Sequence, residues 1–435
     1  MRTSLKVYSH SLGCPKNRVD TEHLLGSLGP DVRLVEHMGR ADVVFINTCG
    51  FILPAVEESV RTVVDAVHHL GGLKRRPLLV VAGCLVGRYG AATLAEDLPE
   101  VDLWLDNAQL PQWPALLAQK LRRPEAAPGR LLAAGAGRPA SAWLKISDGC
   151  RHNCSFCTIP GIRGKHRSTP AAALVAEARQ LLAQGVRELV LVAQDVTAWG
   201  EDLDAKHGLV DLLEQLLPLD GLDWLRLMYL YPAGISETLL RFMREAGPRM
   251  LPYFDIPLQH AHPEILERMG RPFARDPRRV VAKVRDALPE AALRTTFIVG
   301  FPGETDTHFA ALQQFVTETR FTHLGVFAYR AEEGTPAATM PQQVEDRVKD
   351  WRRDSLMEVQ ADISEEALQH WQGARLPVLV DAPHPEWAGL HTGRVWFQAP
   401  DVDGITYISG PGVAPGALVE ADIVESSTYD LTALT

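Results

Sequence analysis

Trp143-Leu-Lys-Ile-Ser147-Asp-Gly-Cys150-Arg-His-Asn-Cys154-Ser-Phe156-Cys157 is the stretch on which the reading of this chain turns. A short apolar run at 143–147, long enough for a buried strand, delivers three thiols into one loop. Three thiolates this close together hold three irons of a four-iron cubane, which ordinarily takes four cysteines. The fourth iron is then open. It can chelate a small ligand and pass it an electron, and the amino and carboxylate groups of S-adenosylmethionine suit that position. The alternatives are a zinc knuckle or unrelated buried thiols. No fourth Cys or His falls at zinc-finger spacing, and His152, inside the loop, is poorly placed as a fourth ligand.

Downstream, strand-like runs at 188–193, 224–229, 253–257, 294–299 and 323–329 alternate with helical stretches such as 171–184 and 306–318. With 143–147 they make six β/α units. That number predicts a parallel, incomplete barrel with its chemistry at the C-terminal strand ends. A long charged helix is expected over 344–371. Upstream, strands at 6–10, 43–47 and 78–82 alternate with helices at 20–28 and 56–70, which argues for an open parallel sheet in an α/β domain. Each of these strands runs into a cysteine: Cys14, Cys49 and Cys84, spaced 35 residues apart. Ligands gather beyond the carboxyl ends of parallel strands, so the three thiols can meet at one edge and carry a second cluster with an open iron. Three ordinary buried cysteines are the alternative. The Ala-, Gly-, Pro- and Arg-rich stretch 123–142 reads as a linker. Past 372, short runs at 376–380, 392–397, 406–408 and 418–424 with Gly/Pro turns read as a small antiparallel β-barrel. The expected organisation is therefore 1–122, linker 123–142, 143–371 and 372–435.

The 435 residues exceed one ordinary domain, and no apolar run is long enough to span a bilayer. No apolar export core follows Met1, so a cytoplasmic location without membrane contact is expected. Its reducing poise favours metal ligation over disulfides for the six cysteines. The net charge is −10, and residues 372–435 hold two arginines, eight acids and no lysine. Asp401, Asp403, Glu420 and Asp422 are expected to form part of an acidic face that repels phosphates and attracts basic proteins.

Ser11-Leu-Gly-Cys14-Pro-Lys-Asn-Arg-Val-Asp20, Asn47-Thr-Cys49-Gly-Phe51, the Cys150 loop and Phe297-Ile-Val-Gly300-Phe-Pro-Gly303-Glu-Thr305 together resemble the radical S-adenosylmethionine methylthiotransferases, over essentially the whole chain. The resemblance implies a methylthiotransferase domain, a partial radical barrel and a C-terminal TRAM domain. It implies that a [4Fe-4S] cluster on Cys150, Cys154 and Cys157 cleaves S-adenosylmethionine reductively. A second cluster, on Cys14, Cys49 and Cys84, would carry the sulfur that is methylated by a second S-adenosylmethionine and transferred. The Cys14 loop, Leu227-Met-Tyr229-Leu-Tyr231-Pro232 and the ending Tyr429-Asp430-Leu431 are similar to the branch that modifies an aspartate β-carbon in the twelfth small-subunit ribosomal protein, a basic partner. An electron donor such as flavodoxin or ferredoxin is implied too.

Phe156, Gln194, Asp195, Arg226, Gln259, Gly300 and Gly303 are the expected cofactor contacts, although a polar group or a glycine in a barrel equally serves structure. His260 and His262 read as a loop rather than a metal site, and His68-His69 as inert surface. A tRNA methylthiotransferase and a non-catalytic iron–sulfur redox protein are the competing functions. The acidic tail argues against the first, and three-cysteine sets argue against the second.

Overall fold

The computed structural model describes residues 4–127, 129–132, 139–203, 206, 208–271 and 276–435. β1 (Leu5–Ser11), β2 (Val32–Leu34), β3 (Val43–Thr48), β4 (Leu78–Gly83) and β5 (Leu103–Asp106) form a parallel sheet ordered β2-β1-β3-β4-β5. Every residue of β3 is buried, as expected for a central strand covered by helices on both faces. The two edge strands escape a reading by pattern. β2 is three residues long with one buried side chain, and β5 is four residues long. The first helix, Pro15–Gly26, starts directly after Cys14 rather than at residue 20. Pro15 explains this: its fixed φ and missing N–H suit the first helical position.

The second unit begins with β6 (Ser141–Lys145). A two-residue hairpin of β7 (Ser147–Asp148) and β8 (Arg167–Ser168) then brackets the cysteine loop. β9 (Glu188–Val192), β10 (Trp224–Leu227), β11 (Tyr253–Gln259), β12 (Ala292–Val299) and β13 (His323–Ala328) complete the arc. The six long strands form two parallel sheets, β6-β9-β10 and β11-β12-β13, linked by the bridge Leu225–Met250. The result is an open arc of six strands. Its outer face, with Leu189, Leu191, Leu225, Leu227 and Phe297, packs on helices such as Ala171–Ala183 and Asp306–Thr319.

The third unit is a closed barrel of β14 (Arg375–Pro383), β15 (His391–Arg394), β16 (Thr406–Ser409), β17 (Leu418–Ser426) and β18 (Leu431–Leu434). Its pairings are antiparallel except β16 with β18, where the last strand returns to close the ring. This barrel covers the inner face of the arc: Trp143, Val190, Val192, Trp224 and Tyr253 share one core with Val378, Phe397 and Ile408.

Buried charge locks that contact. Glu188, fully buried, accepts from Arg226 Nε at 2.7 Å and Arg394 Nη1 at 2.5 Å, and Arg226 Nη1 donates to Trp396 O at 2.8 Å. Arg226 is thereby corrected from cofactor contact to seam residue, because its guanidinium faces the C-terminal barrel. Asp403 is corrected as well. Its side chain is fully buried, accepting from Arg294 at 2.5 Å, Tyr253 Oη at 2.7 Å and Ala399 N at 2.8 Å, so it belongs to the seam and not to an acidic rim. Within the stretch read as a linker, Arg130 is buried and pairs with Glu22 at 2.6 Å and Glu177 at 2.9 Å, joining the first helix to a barrel helix.

Candidate metal and cofactor site

Cys14, Cys49 and Cys84 each stand at the carboxyl end of a strand of the first sheet, and the local chain draws them together. Gly13 (φ +80°) is needed there, since a Cβ at this position would lie 2.8 Å from Cys49 Sγ. Asn17 clamps the strand ends, donating to Leu12 O and Thr48 O at 2.9 Å each. Asn107 Nδ2 lies 3.5 Å from Cys84 Sγ. Burial pushes the Cys49 thiol up to about 11, and the neighbouring thiols add to this while the Phe51 backbone N–H opposes it. Burial acts the same way on Cys14, but the Lys16 and Arg163 cations outweigh it and lower that pKa.

Arg163 comes from the other domain. The helix Ile159–Arg163 follows the Cys150 loop directly, and the buried guanidinium donates to Asn17 Oδ1 at 2.6 Å. It also reaches Asp20 at 3.2 Å and Asp148 at 3.0 Å. The Cys14 set therefore faces the loop of the Cys150 set across the domain seam. Thr158 Oγ1 bonded to Phe51 O at 2.9 Å, and the buried Arg88–Glu332 pair at 3.0 Å, hold the same edge.

The Cys150 loop is braced from three sides. Ser155 N donates to Met269 O at 3.0 Å, and Arg271 Nη1 lies 3.7 Å from Cys154 Sγ while its Nη2 bonds Pro257 O at 2.8 Å. The His152 ring stacks on Tyr231 with centroids 3.7 Å apart, and its Nε2 bonds Asp195 Oδ2 at 2.7 Å. His152 is thus engaged away from the thiols. Burial, with the other two thiols, pushes Cys157 up to about 12. Metal loading must displace such protons.

The remaining expected contacts divide. Gln194 and Gln259 carry buried side-chain oxygens without a partner, and Gln259 holds φ +71°. Unfilled acceptors beside a braced cysteine loop fit a polar ligand. Asp195 is spent on His152, Thr197 N and Thr197 Oγ1, so it shapes the loop. Phe156 packs edge-to-face on Phe301 at 6.4 Å. Gly300 (φ +71°) and Gly303 (φ +85°) hold backbone that favours glycine, and a Cβ on either would meet Lys349 or Arg268. Arg271, Tyr231, Arg163 and Lys16 escaped a reading by pattern. Lys16 and Tyr231 had a signal, one in the Cys14 motif and the other in Leu227-Met-Tyr229-Leu-Tyr231-Pro232.

Neither cysteine set draws its ligand atoms within 4.8 Å, as one ion would require; among the described residues only His262, Glu264 and His308 do. In that trio Nδ1 of His262 accepts from Glu264 N and Nδ1 of His308 from Thr305 N. The rings are helix caps whose protons sit on Nε2, which is not the tautomer for ligation through that atom. Wider sets of three thiols fit a cluster.

Family models match residues 144–316 (Radical SAM superfamily), 6–106 (Uncharacterized protein family UPF0004) and 373–435 (TRAM domain). The fold and the Cys150 loop thus define a radical S-adenosylmethionine enzyme, a class that implies a [4Fe-4S] cluster and S-adenosylmethionine. Ribosomal protein uS12 methylthiotransferase RimO of Nitratidesulfovibrio vulgaris is 74% identical over 99% of this chain and 100% of its own. The RimO proteins of Oleidesulfovibrio alaskensis and Lawsonia intracellularis are 66% and 55% identical, each over 99% of this chain and 100% and 98% of their own. The chain belongs to the RimO family of radical S-adenosylmethionine methylthiotransferases. Among solved structures, the methyltransferase TsrM from Kitasatospora setae aligns with a TM-score of 0.57 at 16% identity, over 90% of this chain and 81% of that one, which shows a shared fold.

Proposed function

We propose that this enzyme methylthiolates the β-carbon of an aspartate in the ribosomal protein uS12, using two S-adenosylmethionine molecules and two [4Fe-4S] clusters. The observation that carries the reading is that Arg163, six residues after Cys157, crosses the seam to Asn17 and lies in the field of Cys14 and Cys84. The curated relatives are uS12 methylthiotransferases, which supports the same substrate here. Bound to Cys150, Cys154 and Cys157, a cluster supplies the electron that cleaves S-adenosylmethionine to a hydrogen-abstracting radical. The residues then have separate tasks. Tyr231, Arg271 and the His152–Asp195 pair brace that loop, and Gln194 and Gln259 offer acceptors to the cofactor's amino and hydroxyl groups. The C-terminal barrel closes the inner face against water. Cys14, Cys49 and Cys84 would hold the second cluster, which would supply the sulfur. Units 1–122, 143–371 and 372–435, joined through 123–142, carry these roles. The cytoplasm, a flavodoxin- or ferredoxin-type donor, and no tRNA or membrane partner complete the reading; no described helix is long and apolar enough to cross a membrane.

Iron counting tests the two sets. Anaerobically reconstituted protein should hold about eight irons per chain. Changing Cys150, Cys154 and Cys157 to Ala should halve the iron and abolish 5′-deoxyadenosine. Changing Cys14, Cys49 and Cys84 to Ala should halve the iron and abolish methylthiolated uS12, read by mass spectrometry. Full iron retention in either variant would refute that set.

A further inference from the structure

We propose that Lys16 receives the carboxylate of the aspartate being modified, an inference that rests on the uS12 reading and adds the residue that reads the substrate's charge. Lys16 lies two residues after Cys14 on the first turn of the helix Pro15–Gly26. Its side chain leaves its own domain. Nζ donates to Ala193 O of the radical barrel at 3.3 Å and lies 3.8 Å from the centroid of the Tyr229 ring. Ala193 precedes Gln194, and Tyr229 holds φ +60° with its N–H fixed by Asp255 at 3.0 Å. The ammonium therefore spans from the Cys14 side of the seam to strand ends of the barrel that carries the Cys150 loop.

Its pairing is incomplete. Lys16 is only 7% exposed, yet it makes no ion pair among the described residues. The other buried or nearly buried lysines do have carboxylates: Lys145 pairs with Asp20 and Asp148, and Lys349 with Asp346. An ammonium has three donors, and here one carbonyl and one ring face answer them. Cys14 and the buried Asp255 lie within its field but neither makes an ion pair with it, so an arriving carboxylate can supply the direct contact that the site lacks.

The position selects the anion. A substrate carbon that loses hydrogen toward the Cys150 set and gains sulfur from the Cys14 set must stand between them, beside Lys16. The β-carbon of aspartate carries its carboxylate directly, so fixing that group fixes the reacting carbon. A neutral base of tRNA would leave the ammonium unpaired, which makes Lys16 an element of rejection as well.

The test is a binding titration of the reconstituted enzyme with uS12 and with uS12 whose target aspartate is changed to Asn. Wild type should prefer Asp by about 10- to 100-fold, the range for a buried charge-assisted bond. Lys16→Met and the milder Lys16→Gln should bring the ratio near unity, and Lys16→Arg should restore most of it. Iron content and cluster spectra report the integrity of each variant. An undiminished Asp preference in both Lys16→Met and Lys16→Gln overturns the proposal. So does a loss confined to S-adenosylmethionine affinity, which would give the ammonium to the cofactor's carboxylate. Wild-type enzyme that neither binds nor modifies uS12 would instead remove the underlying substrate reading.

Discussion

At the scale of single residues, the motifs stated which thiols matter, and the side chains around them came from elsewhere in the chain. His260 shows how far burial alone can move a group. Burial, with His262, His308 and Arg352 nearby, lowers its pKa to about 3, and its Nε2 lies 3.7 Å from the buried Glu304. A histidine with a folded pKa below its unfolded one stabilises the fold fully above about 6.5, and that contribution is lost as pH falls toward 3. Glu304 acts with the opposite sign. Burial raises it to about 7 despite Arg352, so its penalty grows as pH rises from the ordinary carboxylate range to 7. His260→Gln should therefore flatten or invert the fall in stability between pH 6.5 and 4, a slope change of up to about 1.4 kcal/mol per pH unit. Urea midpoints of both proteins across that range measure it, and parallel pH profiles would contradict it.

Among the elements, the contact between β9, β10 and the C-terminal barrel depends on Glu188 held by Arg226 and Arg394, all three at most 2% exposed. Removing one partner of a buried pair leaves uncompensated charge and costs about 3–5 kcal/mol. Arg394→Met should lower stability by that order, because Asp381 also loses the partner it holds at 2.8 Å. Asp381→Asn added to it should recover part of the loss, since the carboxylate stranded by the change disappears while Glu188 keeps Arg226. Equilibrium unfolding of the single and double variants decides this, and a strictly additive pair would show that the charges do not act together. The strand runs, the parallel sense of the first sheet and of the barrel arc, and the long helix were legible as patterns. The short edge strands β2 and β5 and the closing strand β18 were not, because three or four residues carry too little periodicity.

For the molecule as a whole, the charge of the tail is redistributed by folding. Asp381 and Asp403 are consumed in buried or half-buried pairs, and Asp430 accepts from Ile405 N at 2.8 Å. Glu386, Asp401, Glu420, Asp422 and Glu425 stay exposed, so an acidic face survives. Asp401 and Asp422 make only loose exposed pairs, with Arg18 at 3.6 Å and Arg375 at 3.4 Å. Changing Asp401, Glu420 and Asp422 to Lys should slow association with uS12, most at low ionic strength, while 5′-deoxyadenosine formation without substrate stays unchanged. Stopped-flow association at two salt concentrations checks this. Salt-sensitive tRNA binding by the wild type with no affinity for uS12 would reverse the substrate assignment.

By itself the sequence determined the chemistry. Thiols at a strand end and in a tight loop are local facts, set by neighbours in the chain, and so are the six β/α units. Which side chains meet across a seam is not local. Arg226, read as a cofactor contact, faces Glu188 and the C-terminal barrel, and Arg163 lies closer to Asn17 than to any thiol of its own loop. Those outcomes depend on how three stretches of chain pack together, and spacing along the chain holds no record of it. Gly300 adds to the point: its positive φ is local, but the Lys349 stem that a Cβ would strike lies far away in sequence. Tertiary structure alone decided which charges were buried, and burial decided which of them remain free to meet a substrate.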